Sequence, residues 1–127
     1  MKKILIIALF FEITLCSDID EKIICGVCHS HNDYLNDYPL FRALEYGFAS
    51  IEVDIVLHKQ SLYVAHHWWL KKKDKVIGKI YLDNLYKIFN ENDGYIQKNR
   101  VPLILLVDIK TAANETYLVL DKLLRKY

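Results

Sequence analysis

Two acidic side chains lie two residues apart in an otherwise apolar segment. Residues 49–57 alternate apolar positions with Glu52 and Asp54, the pattern of a β-strand, so both carboxylates point to the same face. Neighbouring carboxylates repel each other and are costly to bury unless a cation joins them, and hard divalent cations prefer oxygen ligands. The pattern fits a metal site and fits equally well the solvated face of an amphipathic strand.

A third carboxylate follows a second apolar run. Asp108 lies near the end of the run at residues 101–109, and Lys110 follows it two residues later. Both side chains therefore face the same way on a strand. Asp108 could be a third metal ligand, and the Lys110 ammonium could bind a phosphate oxygen as a point charge. The alternative is a salt bridge between these two side chains.

The histidines add groups that can transfer protons near neutral pH. Four of the five follow predicted strands, whereas His58 lies in a predicted turn. One histidine can deprotonate a nucleophile while another protonates the leaving oxygen of a phosphodiester. A single histidine at a strand end is usually structural, but two pairs flanking a carboxylate cluster favour acid–base chemistry. The pairs are His29 with His31 and His66 with His67.

Cys25 and Cys28 precede His29 with the spacing of a c-type haem attachment motif. Met1 is the only methionine, so no methionine of the main part of the chain could be an axial ligand. Haem would also leave the three carboxylates unexplained. We therefore prefer two buried small side chains at these positions, then a disulfide, and last an exported haem protein.

Long strands alternate with helices along the chain. Strands are predicted at residues 22–28, 49–57 and 101–109, and a polar segment follows each. The alternation predicts parallel βαβ units, and in a (β/α)₈ barrel the chemistry lies at the carboxyl ends of such strands. The other predicted elements are a short returning strand at residues 62–65 and helices at residues 40–46, 82–90 and 114–127.

Two details of the predicted helices can be compared with a structure. Gly47 is expected to end the first helix in a left-handed backbone conformation. The last helix is expected to face the core through five residues, which are Tyr117, Leu118, Leu120, Leu123 and Leu124.

The composition is that of a globular protein, with 53% hydrophobic and 26% charged residues. The formal charge of +1 comes from 17 basic and 16 acidic residues, which argues against a nucleic-acid partner. The one basic run is Lys71-Lys72-Lys73, with Lys75 nearby. A solvated loop is the preferred interpretation of this run, and contact with a phosphate or a lipid headgroup at a membrane surface is the alternative.

The N-terminus has the order of a signal peptide. Lys2 and Lys3 precede an apolar run at residues 4–11 that is too short to span a bilayer. Residues 1–17 are therefore predicted to be a cleaved signal, and residues 18–127 would form a secreted or exported protein. A buried N-terminal strand is the alternative.

Several of these segments together resemble a known superfamily. They are His29-Ser30-His31-Asn32-Asp33-Tyr34, Ser50-Ile51-Glu52-Val53-Asp54, Leu62-Tyr63-Val64-Ala65-His66 and Asp108-Ile109-Lys110. They resemble the phospholipase C-like phosphodiesterases, which include glycerophosphodiester phosphodiesterases, phosphatidylinositol-specific phospholipase C and spider-venom sphingomyelinase D. The branch resembled is the altered inheritance of mitochondria protein 6-like group, from about residue 23 to the end.

The resemblance implies a TIM barrel that binds Mg²⁺ or Ca²⁺ and cleaves lipid or glycerophosphodiester substrates. Two histidines would act as acid and base, and the second of them corresponds to His66. The first is His31 if His31-Asn32 matches the family's His-Arg step, or His29 if the sphingomyelinase D pattern applies; the spacing to Glu52 slightly favours His31. His67 stands where the family usually has Asp. The metal ligands would be Glu52, Asp54 and Asp108, and the substrate contacts Lys110 and Asn32.

The resemblance also implies that the barrel is incomplete. A complete barrel takes roughly 200 residues or more, so residues 18–127 correspond to its N-terminal half. The chain alone is then expected to be inactive or nearly so, with the remaining half truncated or supplied by another chain. The rival classes are the exported haem protein and a non-catalytic binding module derived from the enzyme.

Overall fold

The computed structural model describes Cys25, residues 27–98 and residues 100–127. The fold is mixed α/β, as the sequence predicts. Its four strands are β1 (His29–Ser30), β2 (Ser50–His58), β3 (Ser61–Val64) and β4 (Ile104–Ile109). Its α-helices are α1 (Phe41–Glu45), α2 (Asp83–Glu91) and α3 (Ala113–Leu124), and a π-helical turn, Gly78–Leu82, leads into α2. In the described part of the chain, no helix is both long and apolar enough to cross a bilayer.

Strand β2 is the centre of the sheet. Ile51 pairs with residues of both β1 and β4, and Ile55 pairs with residues of both β3 and β4. Strand β4 therefore runs along one edge of β2, while β1 and β3 share the other edge. Strands β1, β2 and β4 are parallel, and β3 returns antiparallel to β2. The expected parallel sheet is thus confirmed, and the carboxyl ends of its strands lie together.

A two-residue turn joins β2 to β3. His58 pairs with Ser61, so only Lys59 and Gln60 lie between the strands. Both have a positive φ, at 47° and 63°, as a tight hairpin turn of type I′ requires of its two central residues. The hairpin places Ala65 beside β2, where the Ala65 N–H donates to the backbone oxygen of Asp54 at 3.1 Å.

The two faces of β2 have different surroundings. Ile51, Val53 and Ile55 are fully buried on one face and form the centre of the hydrophobic core. Glu52 and Asp54 point to the opposite face, as the period of two predicts. The other buried core residues come mainly from the helices and β3, and they include Leu40, Ala43, Leu62, Val64, Ile77, Tyr81 and Leu120. The helices thus cover one face of the sheet and leave the other to the carboxylates.

On the face of β4 that carries Asp108, the preceding side chains are apolar and exposed. Ile104 pairs with Ser50 and Leu106 pairs with Glu52, so both apolar side chains lie on the same face as the acidic ones. Both are about half exposed. Strand β4 is also shorter than predicted, because it begins at Ile104 and not at residue 101.

The described part of the first predicted strand, residues 22–28, is not a strand, and residues 22–24 and 26 lie outside the described residues. Cys25, Val27 and Cys28 are outside any strand, and β1 begins only at His29. Cys25 and Cys28 form a disulfide across a tight turn in which the Cys28 N–H donates to the Cys25 oxygen at 3.1 Å. The preferred interpretation of two buried thiols is therefore wrong. A disulfide also leaves neither thiol free to attach haem. The predicted signal at residues 1–17 lies outside the described residues.

The helices agree with the prediction except on the inner face of α3. Gly47 ends the first helix with φ 67°, which confirms the left-handed conformation. In α3, Leu120 is buried and Leu123 is partly buried, but Tyr117, Leu118 and Leu124 are exposed. The reason is helical geometry, since a helix that packs on one side of a sheet buries only residues three or four apart, here Thr116 and Leu120.

A fully buried carboxyl group ties the loop after β1 to the core. Oδ1 of Asp33 accepts hydrogen bonds from Ser30 Oγ at 2.7 Å and from Asn36 Nδ2 at 3.3 Å. Oδ2 accepts from the Leu40 N–H at 2.6 Å and from the Tyr81 hydroxyl at 2.9 Å. Burial, together with the Asp33 carboxylate, raises the pKa of Tyr81, so its hydroxyl stays protonated and donates.

Asp33 also stabilises an unusual backbone conformation. Leu40 has φ 66°, which is strained for a bulky residue. Strain of this kind persists only where the surroundings over-determine it, and here the Leu40 N–H is held by Asp33 and its side chain is fully buried.

We expect Asp33→Ala to lower the free energy of unfolding by about 3 kcal/mol or more, because it leaves several buried donors without an acceptor. Urea unfolding followed by circular dichroism measures this change. The matched control is Asp37→Ala in the same loop, where the side chain is exposed and the effect should stay within about 0.5 kcal/mol. Equal midpoints for the two variants would show that the network contributes little.

Candidate active site

The sheet brings the three predicted acidic residues together. Asp54 pairs directly with Asp108 in the register of β2 and β4, and Glu52 lies one pleat earlier on the same face. One carboxylate oxygen from each residue lies within 4.8 Å of the others. Asp54 is fully buried, Glu52 is largely buried and Asp108 is exposed. The alternative of a solvated acidic face therefore fails for Asp54.

Asp54 is held by neighbours on several sides. Its Oδ2 accepts hydrogen bonds from the Tyr34 hydroxyl and from His66 Nδ1, both at 2.7 Å. Lys110 Nζ lies 3.4 Å from Oδ1. Burial alone would raise the pKa of Asp54, but the hydrogen bonds from Tyr34 and His66 and the charge of Lys110 outweigh it and lower the pKa below its ordinary value. Asp54 is therefore ionised at neutral pH.

The ionised Asp54 determines the tautomer of His66. A carboxylate can only accept, so Nδ1 of His66 must carry the proton in this 2.7 Å contact. The other nitrogen, Nε2, is then free to exchange a proton with a bound molecule. His66 is exposed, so a substrate can reach it.

The first pair of histidines contacts Glu52. Nε2 of His31 lies 3.2 Å from Glu52 Oε2, and Nε2 of His29 lies 3.7 Å from the same oxygen. His29 is also bound through Nδ1 to the Ser50 hydroxyl at 2.9 Å, whereas His31 is the more exposed ring. The structure thus brings all three candidate histidines to the carboxylate cluster.

The remaining histidines have other contacts. His58 ends β2 beside the ring of Tyr63, so it belongs to the hairpin, as expected for a turn residue. The His67 ring contacts both the His66 ring, at a centroid distance of 4.5 Å, and the Trp69 ring, at 4.4 Å.

Asn32 connects the first histidine loop to the acidic residues. It has φ 50°, a left-handed conformation that Asn tolerates better than most residues. Its backbone N–H lies 3.4 Å from Glu52 Oε2, and its side-chain oxygen accepts from the Tyr34 hydroxyl at 3.2 Å. Asn32 therefore positions both Glu52 and Tyr34, as well as lining the adjoining groove.

Lys110 lies beside the carboxylates at the end of β4. Its Nζ is 2.6 Å from Asp108 Oδ2, so the salt bridge that the sequence allowed is present. The hydrogen bond to Asp108, supported by the charge of Asp54, raises the pKa of Lys110 despite partial desolvation. The ammonium group is therefore charged, and it lies close enough to the acidic cluster to contact an anionic ligand bound at that cluster.

The donor set fits a divalent cation. Oδ1 of Asp54 is buried and accepts no hydrogen bond, although Lys110 Nζ lies 3.4 Å away, and Asp54 is one of the three converging carboxylates. A buried ionised carboxylate oxygen that accepts no hydrogen bond is costly. A hard cation with oxygen ligands removes this cost, so Glu52, Asp54 and Asp108 could hold one.

Two contributors to this site were not identified from the sequence. Tyr34 lies in a polar segment that reads as a loop, yet its hydroxyl is buried against Asp54. Ser50 orients His29. Both residues lie in segments that carry the family resemblance, but the resemblance assigned neither of them a role.

Comparison with known proteins gives a family. The profile of the AIM6-like phosphodiesterase domain matches residues 17–127. The chain is 33% identical over 110 residues to "Altered inheritance of mitochondria protein 6" of Eremothecium gossypii, an alignment that covers 75% of this chain and 28% of that protein. It is 40% identical over 78 residues to the protein of the same name from Kluyveromyces lactis, covering 59% and 18%.

A homologue of that protein in Arthroderma benhamiae is 30% identical over 83 residues, covering 61% of this chain and 26% of the homologue. The chain therefore spans less than a third of the length of these relatives. No solved structure matches it significantly. Because the domain profile covers most of the sequence and agrees with the resemblance seen in its motifs, the chain belongs to the AIM6-like phosphodiesterase family.

Proposed function

We propose that this protein contributes the metal-binding and acid–base residues of a phosphodiesterase that cleaves phosphoric diesters. The observation that supports this most is the convergence of three carboxylates, two histidine positions and a lysine at the carboxyl edge of one parallel sheet. Each group has a role in phosphodiester cleavage, and no single one of them is diagnostic.

The carboxylates would hold Mg²⁺ or Ca²⁺. Such an ion neutralises the charge of a phosphodiester and stabilises the charge that develops in the transition state. Lys110 is placed to add a second positive charge at the same end of the sheet and so to orient a phosphate oxygen.

Proton transfer would involve His66 and one histidine of the first loop. His66 presents a free Nε2 because Asp54 holds its Nδ1, which suits it to give a proton to, or take one from, a substrate oxygen. We assign the complementary role to His31 because it is exposed and is not bound by Ser50, whereas Ser50 restrains His29.

The architecture we propose for the complete domain is a (β/α)₈ barrel. Ile104 and Leu106 expose an apolar surface beside the carboxylates, which further strands would cover. Turnover by this chain alone should be slow, because substrate would meet only one wall of the site and misplacement by ~1 Å can cost ~100-fold in rate.

We also propose that the protein is exported. The disulfide between Cys25 and Cys28 is of a kind that persists in oxidising compartments, which agrees with the signal peptide predicted at residues 1–17.

Metal binding is the first test. Glu52→Gln and Asp54→Asn should each weaken the binding of Mn²⁺ or Mg²⁺ at least tenfold, because each removes a charged ligand oxygen. Isothermal titration calorimetry measures this without any substrate. His58→Ala and Glu115→Gln are the controls, since both positions lie outside the cluster and should leave affinity unchanged. If His58→Ala is as damaging as Glu52→Gln, the assigned ligand set is wrong.

Turnover of bis(4-nitrophenyl) phosphate is the second test. Cleavage should require Mg²⁺ or Ca²⁺, and His66→Ala should lower its rate about 100-fold or more while leaving metal affinity nearly intact. His31→Ala should lower the rate more than His29→Ala does. Turnover that persists in EDTA would contradict the mechanism, and a larger loss from His29→Ala would reverse the assignment of the two histidines.

A further inference from the structure

Three large apolar side chains are exposed in succession after β3. Trp68, Trp69 and Leu70 are 56%, 62% and 56% exposed and form a short 3₁₀ turn. Scattered exposed apolar residues are ordinary, but a contiguous patch of this kind marks a surface that meets another apolar phase or partner. We call residues 68–75 the tryptophan–lysine loop.

Ring contacts hold the two indoles outward. The Trp69 ring stacks on His67 with the planes 13° apart. The Trp68 ring meets Trp69 edge to face at a centroid distance of 6.0 Å. The indoles therefore contact neighbouring rings while they stay exposed to solvent, and restraint of this kind reduces the entropy lost on binding.

Positive charge follows the indoles directly. Residues 71–75 contain four lysines and one aspartate, a local charge of +3 in a chain whose formal charge is +1. Nζ of Lys71 lies 5.2 Å above the Trp68 ring and donates to the Trp68 oxygen at 3.2 Å. Indoles beside ammonium groups match a lipid–water interface, where rings lie at the level of the headgroups and lysines meet anionic phosphates.

The loop and the candidate active site share a groove. A cavity of about 510 Å³ is lined both by residues of the site, Asn32, Tyr34 and His66, and by residues of the loop, Leu70, Lys72 and Lys75. A molecule held by the loop would therefore lie in the same groove as His66, the histidine that contacts Asp54.

We propose that the tryptophan–lysine loop docks this protein onto an anionic lipid surface and delivers phosphodiester lipids to the neighbouring site. The proposal that the substrate is a lipid rests on the proposed function, whereas the proposal that the loop binds a lipid surface is independent of it. The charge of the loop favours a lipid bilayer as the binding partner. A purely apolar surface would leave the four lysines without anionic contacts, whereas an anionic bilayer offers an apolar phase to the rings and phosphates to the ammonium groups.

The two tryptophans allow a direct test with the whole chain. They are the only tryptophans in the sequence, so tryptophan fluorescence, excited selectively over that of the tyrosines, reports from this loop alone. Vesicles of phosphatidylcholine with about 30% phosphatidylserine should shift the emission to the blue and pull the protein down on sedimentation, even in EDTA. Pure phosphatidylcholine should bind much less, and high salt should weaken binding to the anionic vesicles.

Variants separate the roles of rings and charges. Trp68→Ala with Trp69→Ala, and separately Lys71→Gln with Lys73→Gln, should each weaken sedimentation with anionic vesicles at least tenfold. The matched controls, on α3 and just after its end, are Tyr117→Ala with Leu118→Ala, which are also exposed apolar positions, and Lys122→Gln with Lys126→Gln. These controls should bind as the wild type does.

Unchanged fluorescence with anionic vesicles would overturn the proposal and leave the loop as a protein-binding surface. Loop variants that bind vesicles as well as the α3 controls do would overturn it too. The loop variants should keep wild-type turnover of bis(4-nitrophenyl) phosphate, because it is soluble. Lost vesicle binding with Mn²⁺ binding intact therefore refutes only the docking, whereas vesicle binding without Mn²⁺ binding refutes only the proposed metal-dependent function.

Discussion

The buried carboxylate of Asp54 is the group on which the rest of the site depends. It is fully buried in the central strand, and its ionisation is stabilised by Tyr34, His66 and Lys110. Because these neighbours come from the loop after β1, the segment after β3 and the end of β4, one charge draws three separate parts of the chain together. An unpaired charge in this position would cost several kcal/mol, so the fold must bring donors or cations to it.

A second buried carboxyl group, that of Asp33, has the complementary task. Asp54 gathers groups that can do chemistry, whereas Asp33 gathers backbone and hydroxyl donors that keep the intervening loop in place. The loop carrying His31 and Asn32 lies between these two anchors. This division explains why residues in a polar, turn-rich segment can hold defined positions although the segment contains little regular structure.

The alternation in β2 was sufficient to predict that Glu52 and Asp54 share a face. The position of Asp108 and Lys110 at the end of another predicted parallel strand was sufficient to predict that they lie near those carboxylates. Such patterns depend on local periodicity, which is visible in one sequence. The contacts of Asp33 and Tyr34 were not predictable, because they join residues as far as 48 positions apart. Three apolar residues of α3 were wrongly predicted to face the core, because the apolar character of a residue does not show which face of a helix packs against the sheet. The register of β2 and β4 depends on hydrogen bonds between the strands and was seen only in the described sheet, where Asp54 pairs with Asp108.

The turn at Lys59 and Gln60 has an effect far from its own position. It fixes which residue of β3 lies opposite which residue of β2, and the same register brings His66 to Asp54. One residue more or less in the turn would advance β3 by about 3.3 Å and exchange its two faces. His66 would then leave Asp54, and His67 or Ala65 would take its place. The length of the turn thus determines whether His66 lies within hydrogen-bonding distance of Asp54. Homologues that keep this histidine–aspartate contact should conserve the number of residues in the turn more strictly than the identity of those residues.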